Sequence, residues 1–159
     1  MKRQKLSTSC APSNNVLFED LFYITSLDNS KFEKVGRIRG RSSGFDANIV
    51  LDVNINIYPL EPKQNLTICI TTSVALPSTA KEELTAYDLS DTTPQRLNTL
   101  MDEYDYVMYG RIFRLVENPS DRRTIYASFG GLLMSLTADK HVVGEMELGT
   151  RVYILLRKK

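Results

Sequence analysis

The sequence contains one histidine, His141, two cysteines, Cys10 and Cys69, and no tryptophan. A single histidine excludes a metal site built on two imidazoles and leaves any Ser-His-Asp or Cys-His constellation dependent on one side chain. His141 lies in "ADKHVVG", a connector, where an exposed or packed histidine is the ordinary outcome. The cysteines lack C-x-x-C spacing and are too few for a disulfide framework, so we read both as thiols in a reducing compartment. Neither G-x-x-x-x-G-K-[ST] nor G-x-G-x-x-G occurs, which removes the two common phosphate-cradling loops. No apolar run approaches the ~20 residues of a membrane helix. The start, "MKRQKLSTSCAPSNN", is basic but lacks the apolar stretch of a secretory signal. The formal net charge of +1 provides no global field for nucleic acid or membrane. These absences lead us to expect a soluble intracellular chain with no catalytic site, no cofactor and no metal. Adjacent acids such as Glu19-Asp20 and Asp102-Glu103 do not alter this, because neighbours along a strand point to opposite faces.

What is present is strand-like. The chain has 159 residues, enough for one domain with one core, and eight tyrosines and six phenylalanines supply its bulk. Residues 1–15 are rich in Ser, Asn and Lys and read as a disordered leader. "VLFEDLFYI" (16–24) reads as a first strand and "KFEKVGRIRGR" (31–41) as a second, with Arg37, Arg39 and Arg41 on one face. In "DANIVLDVNINIYP" (46–59) every second residue from Ala47 to Ile57 is apolar, which predicts one long half-buried strand ended by Pro59. "NLTICITTS" (65–73) alternates again and is expected to form a hairpin with it. Residues 74–103 carry Pro77, Pro94 and many acids and read as a flexible acidic loop, with one short helical turn near Thr93–Leu100. "YDYVMYGRIFRLVEN" (104–118), a Pro119-Ser120-Asp121 turn, residues 124–137 and "RVYILLRKK" (151–159) complete a run of strands. No segment has convincing helical period, and no internal repeat is visible. The pattern is that of an all-β barrel or sandwich.

"YASFGGLLMSL" (126–136) poses the main local question. Ile125, Ala127 and Phe129 are apolar at odd positions; Leu132, Met134 and Leu136 are apolar at even ones. A strand has period two, so a one-residue phase shift must be absorbed between them. We expect a β-bulge at Gly130-Gly131 that bends a single strand. If the two phases face different sides, one meets the core and the other a partner.

Five segments in order carry a family resemblance: "LFED" (17–20), "LDVNINIYP" (51–59), "YDYVMYGRIFRL" (104–115), "FGGLLMSL" (129–136) and "RVYILLRKK" (151–159). Together, over residues 16–159, they closely resemble the small OB-fold-like subunit shared by eukaryotic nuclear RNA polymerases I, II and III. The resemblance implies a single antiparallel β-barrel of about eight or nine strands with a flexible acidic loop at 74–103. It implies a nuclear, non-catalytic subunit, in nucleoplasm and nucleolus, that docks on the largest subunit and supports assembly. The chain departs from the family in its extra leader, 1–15, and in Phe129, where the family usually has Tyr. The resemblance also points to "VMYG" and "GGLLM" as neighbours. The expected docking patch is Tyr106, Met108, Tyr109, Gly110, Gly130, Gly131, Leu132, Leu133 and Met134. The alternative is a free-standing single-strand nucleic-acid binder, with Arg37, Arg39 and Arg41 as phosphate contacts beside Tyr106 or Tyr109.

Overall fold

The computed structural model describes residues 15–30, 34–74 and 100–158. Eight strands run in chain order: β1 (Val16–Asp28), β2 (Val35–Ser42), β3 (Asn48–Asn54), β4 (Asn65–Thr71), β5 (Tyr106–Asn118), β6 (Arg122–Phe129), β7 (Leu132–Asp139) and β8 (Arg151–Lys158). They close into one barrel in the order β1-β2-β3-β7-β6-β5-β8-β4. Every neighbouring pair is antiparallel. Closure removes the free edges that make open sheets aggregate. The all-β barrel expectation therefore holds. Residues 1–14 of the leader, 31–33 of the second predicted strand and 75–99 of the acidic stretch lie outside the described residues. Asn15 is tied down, its carbonyl accepting from Thr72 N–H at 3.0 Å and Thr71 Oγ1 at 2.9 Å. The helical turn expected near 93–100 lies, up to residue 99, outside the described residues; a 3-10 helix is described at Leu100–Glu103.

An internal regularity absent from the one-dimensional pattern appears in the topology. The first four strands are ordered β4-β1-β2-β3 and the last four β8-β5-β6-β7, the same Greek-key arrangement twice. The halves meet through equivalent strands, β3 against β7 and β4 against β8. The opening strand of each half, β1 and β5, is 13 residues long and carries a register shift, between Ile24 and Ser26 in one and between Ile112 and Arg114 in the other. Repetition of topology needs no repetition of sequence, because alternation and turn chemistry specify the path without specifying residues.

Period-two alternation fills the interior. On β2, Gly36, Ile38, Gly40 and Ser42 are buried while Arg39 and Arg41 are exposed. Ile49, Leu51 and Val53 of β3, Ile125 and Ala127 of β6, Leu136 and Ala138 of β7, and Ile154 and Leu156 of β8 close the core at 0–1% exposure. An eight-stranded barrel is just wide enough for its own side chains to fill. A second, outer cluster forms where Cys69 and Leu155 point away from the barrel and are covered by Tyr104, with Val16, Val74, Val107 and Tyr153 around them. Tyr104 Oη donates to Glu19 Oε2 at 2.7 Å, and the Arg157 guanidinium lies over its ring at 4.8 Å.

Two expectations fail for identifiable reasons. The strand predicted over 46–59 stops at Asn54. The Asn54 side-chain oxygen accepts from Asn56 N–H at 3.0 Å and Ile57 N–H at 3.3 Å, an Asx turn that competes with the ladder. Ile57 is left 70% exposed despite keeping the alternation. β4 also does not pair with β3. It pairs with β1 and β8, as the fourth strand of a Greek key must.

Candidate docking site

The structure overturns the reading of Gly130-Gly131 as a bulge in one strand. These residues are the two-residue turn of a hairpin, with Phe129 paired to Leu132 across it. Both have positive φ, +67° at Gly130 and +102° at Gly131, as the type I′ turn that matches strand twist requires. The phase shift has a simple origin. Directly opposed residues in a hairpin point to the same face, so Ile125↔Leu136 and Ala127↔Met134 put odd and even sets together in the core. The two apolar phases therefore face one side, not two.

β5 runs beside this hairpin and divides the predicted patch by parity. Tyr106 and Met108 point inward and pack against the core. The Tyr106 ring stacks on Tyr58 at 5.2 Å, and its hydroxyl accepts from Asn54 N–H at 3.1 Å. Tyr58 Oη donates to Asp105 Oδ2 at 2.9 Å; burial first, and then the Asp105 carboxylate, hold its phenol well above the usual tyrosine range. Met134 is 2% exposed. Met134 is thus barrel filling, while Tyr106, Met108 and Leu132 are half-buried against the same core. Tyr109 and Leu133 are exposed, at 49% and 42%, as are Gly130 and Gly131. The four accessible members of the predicted patch come from β5, the turn and the start of β7.

Gly110 joins the two parts. A Cβ built on it would fall on the Ser128 carbonyl oxygen and stand 2.7 Å from Phe129 Cδ1. Only a glycine lets β5 lie this close to the end of β6. At Gly130 and Gly131 the converse holds, since an added Cβ would meet nothing within 4 Å. Their backbone is open to solvent, and left-handed conformation alone selects glycine.

Leu133 is held from below. Its N–H donates to Asp52 Oδ2 at 3.0 Å. Asp52 is 5% exposed and grips Arg37 with two oxygens, at 2.6 Å to Nε and 3.0 Å to Nη2. This paired hydrogen bonding raises the Arg37 pKa further above its ordinary value. Arg37, Arg39 and Arg41 do share the outer face of β2, but Arg37 is committed to Asp52 and Arg41 lies 3.4 Å from Asp46. Only Arg39 of the three has its guanidinium outside a described ion pair.

Arg111, Phe113 and Arg151 lie outside the expected docking patch. Across the outer face, Arg151 opposes Arg111, Arg111 opposes Ser128, and Ser128 opposes Leu133. Tyr109, Gly110, Arg111, Phe113, Ser128 and Arg151 line a shallow groove there. The Tyr109 ring packs on Tyr153 at 4.6 Å, and Phe113 lies 6.3 Å from Tyr126.

Of the adjacent acids, Glu19 and Asp20 have structural duties. Asp20 accepts from the N–H groups of Leu21, Gly44 and Phe45, at 2.7, 2.9 and 3.1 Å, and holds the β2–β3 loop. Glu19 faces the other way, toward Tyr104. Among the described residues no group of three His, Cys, Asp or Glu side chains is placed to hold a metal.

The fold is a closed double Greek-key barrel whose glycine-tipped β6–β7 hairpin is exposed, as is Tyr109 on β5. Comparison with known proteins shows that the barrel is that of an RNA polymerase subunit. Residues 19–158 match the family described as RNA polymerase Rpb8, and the chain belongs to that family, whose members are accessory rather than catalytic polymerase subunits. It is 35% identical to the DNA-directed RNA polymerases II, IV and V subunit 8B of Arabidopsis thaliana, over 92% of this chain and 98% of the relative. It is 32% identical to the DNA-directed RNA polymerases I, II, and III subunit RPABC3 of Schizosaccharomyces pombe, over 92% and 99%. It is 33% identical to the protein of that name from Saccharomyces cerevisiae, over 91% and 99%.

Proposed function

We propose that this chain is the common subunit of nuclear RNA polymerases I, II and III, present in nucleoplasm and nucleolus. It docks on the largest subunit and stabilises the assembled enzyme. The docking face is the β6–β7 turn together with the outer side of β5. One observation carries this reading: an exposed two-glycine turn with no side chain in the way, flanked by Leu133 and Tyr109. Such a surface lets a partner backbone approach closely while two apolar side chains anchor it. The nucleic-acid alternative is weaker, because two of its three arginines are engaged by carboxylates and the Tyr106 ring is half-buried and stacked on Tyr58.

Tagged chain expressed in its native cells is expected to bring down the largest subunit of each polymerase. Leu133→Asp and Tyr109→Ala, which leave the core untouched, are expected to lose that capture together. A wild-type chain that captures no polymerase removes the function. Full capture by both variants moves the docking face elsewhere.

A further inference from the structure

Resting on this docking reading, we infer that the groove between Arg111 and Arg151 receives a carboxylate from an extended acidic segment of the largest subunit. The charge pattern singles the groove out. Arg111 and Arg151 are directly opposed across β5 and β8, both exposed, and no carboxylate or ring is paired with either among the described residues. Like charges opposed in a sheet destabilise it, so the isolated barrel gains nothing from the arrangement.

The other described arginines, Arg39 excepted, are handled differently. Arg37, Arg41, Arg122 and Arg123 have carboxylate partners, and Arg114 and Arg157 lie over tyrosine rings. Arg39 stands apart on β2. Two uncompensated guanidinium groups therefore converge at one place, beside the Ser128–Leu133 pair of the docking face.

The walls suit a carboxylate. Tyr109 and Phe113 flank the arginines with apolar surface, each 49% exposed, and a partner laid over them excludes water and strengthens the contact. Two guanidinium groups offer paired N–H donors to the two oxygens of one Asp or Glu. Nucleic acid fits less well. Single strands need free ring faces in succession along a basic track. Here Tyr109 packs on Tyr153, and Arg114 covers Tyr126 at 5.5 Å from its centroid. Backbone room at Gly130 and Gly131 accommodates the extended chain as it leaves the groove.

The test compares full-length tagged chains for capture of the largest subunit from native cells at 0.1 M and 0.5 M KCl. Arg111→Glu/Arg151→Glu is expected to cut capture at least about tenfold at 0.1 M, with a narrower deficit at 0.5 M as salt screens the repulsion. Arg111→Lys/Arg151→Lys keeps most of the capture and allows a second readout. Its amines should couple, through a zero-length carbodiimide, to Asp or Glu of the largest subunit in the purified complex. Unchanged capture by the folded Glu variant, while Leu133→Asp fails, overturns the acidic-segment inference and leaves the docking face standing. Carbodiimide products that never include the largest subunit also overturn it. If the Glu variant captures normally but loses binding to a fluorescein-labelled dT20 oligonucleotide, the groove is a phosphate site and the inference is wrong. A wild-type chain that captures nothing removes the docking reading itself.

Discussion

Replacing Gly110 with alanine adds one methyl group, yet it should be among the most damaging small changes to this barrel. The new Cβ would overlap the Ser128 carbonyl oxygen and lie 2.8 Å from Phe129 Cα, where ordinary contact begins at 3.4 Å. Both obstacles are backbone, so no side-chain rotation relieves them. β5 and β6 must separate at Gly110, which pairs with Val152 of β8 and directly precedes the Arg111↔Ser128 pairing. Losing about two ladder hydrogen bonds costs ~1 kcal/mol each. Overpacking adds ~1–3 kcal/mol. The sum is about 3–5 kcal/mol, a large part of the ~5–15 kcal/mol that holds a domain together. A domain of this size loses about 2–4 °C of melting temperature per kcal/mol, so a fall of roughly 6–20 °C is expected. Thermal unfolding followed by circular dichroism measures it. Gly40→Ala is the control, because that glycine also faces the barrel interior but its Cβ would stand 3.3 Å from Tyr23 O and 3.4 Å from Ile49 Cγ2. It should cost no more than ~1 kcal/mol, since the neighbours need give by only tenths of an ångström. If Gly110→Ala melts within ~2 °C of the parent, or no lower than Gly40→Ala, close strand approach is not what requires the glycine.

Three further outcomes are expected. Gly130→Asn should change stability by less than ~0.5 kcal/mol, because asparagine accepts the left-handed conformation of a type I′ turn, whereas Gly131→Val at φ +102° should cost at least ~1–3 kcal/mol in chemical denaturation. Asp52→Asn weakens the grip on Arg37 and the support under Leu133 N–H; with Asp52 buried but Arg37 partly in water, a loss of ~2–3 kcal/mol is expected in the same assay. The raised phenol pKa of Tyr58 favours the neutral form in the folded chain. Above about pH 10 the unfolded chain releases a proton that the folded chain keeps, so stability falls with rising pH. Tyr58→Phe removes that contribution, and denaturation at pH 9 and pH 11 should show a shallower decline than in the parent.

Side-chain parity made much of this barrel legible in advance. The common face of Arg37, Arg39 and Arg41 follows directly from alternation, and so does the core set of β3. The double glycine was misread because a bulge and a two-residue turn produce the same phase shift. Odd-then-even apolar positions are what a hairpin needs to bring both arms to one face, and Gly-Gly between two strand patterns is a turn signal in its own right. Ile57 shows the limit of alternation, since the Asn54 side chain ends the strand by satisfying backbone N–H groups while the apolar rhythm continues. The Arg111–Arg151 opposition was hidden for a different reason. It depends on the register of β5 against β8, a long-range pairing that no local pattern encodes, and the commitment of Arg37 to buried Asp52 likewise needs the β2–β3 register.

The way the two Greek keys are joined has a consequence for how the molecule comes into being. β8 pairs with β5 on one side and β4 on the other, so it completes the second half and joins it to the first. It is also the last of the eight strands to be synthesised. Through most of translation β4 lacks its second neighbour, and β3 lacks one until β7 has emerged. A nascent chain therefore carries open sheet edges that the finished barrel does not have, in a molecule whose closing contacts span most of its length. Its hazardous period is its own synthesis, when an exposed edge can pair with another nascent chain before β8 arrives.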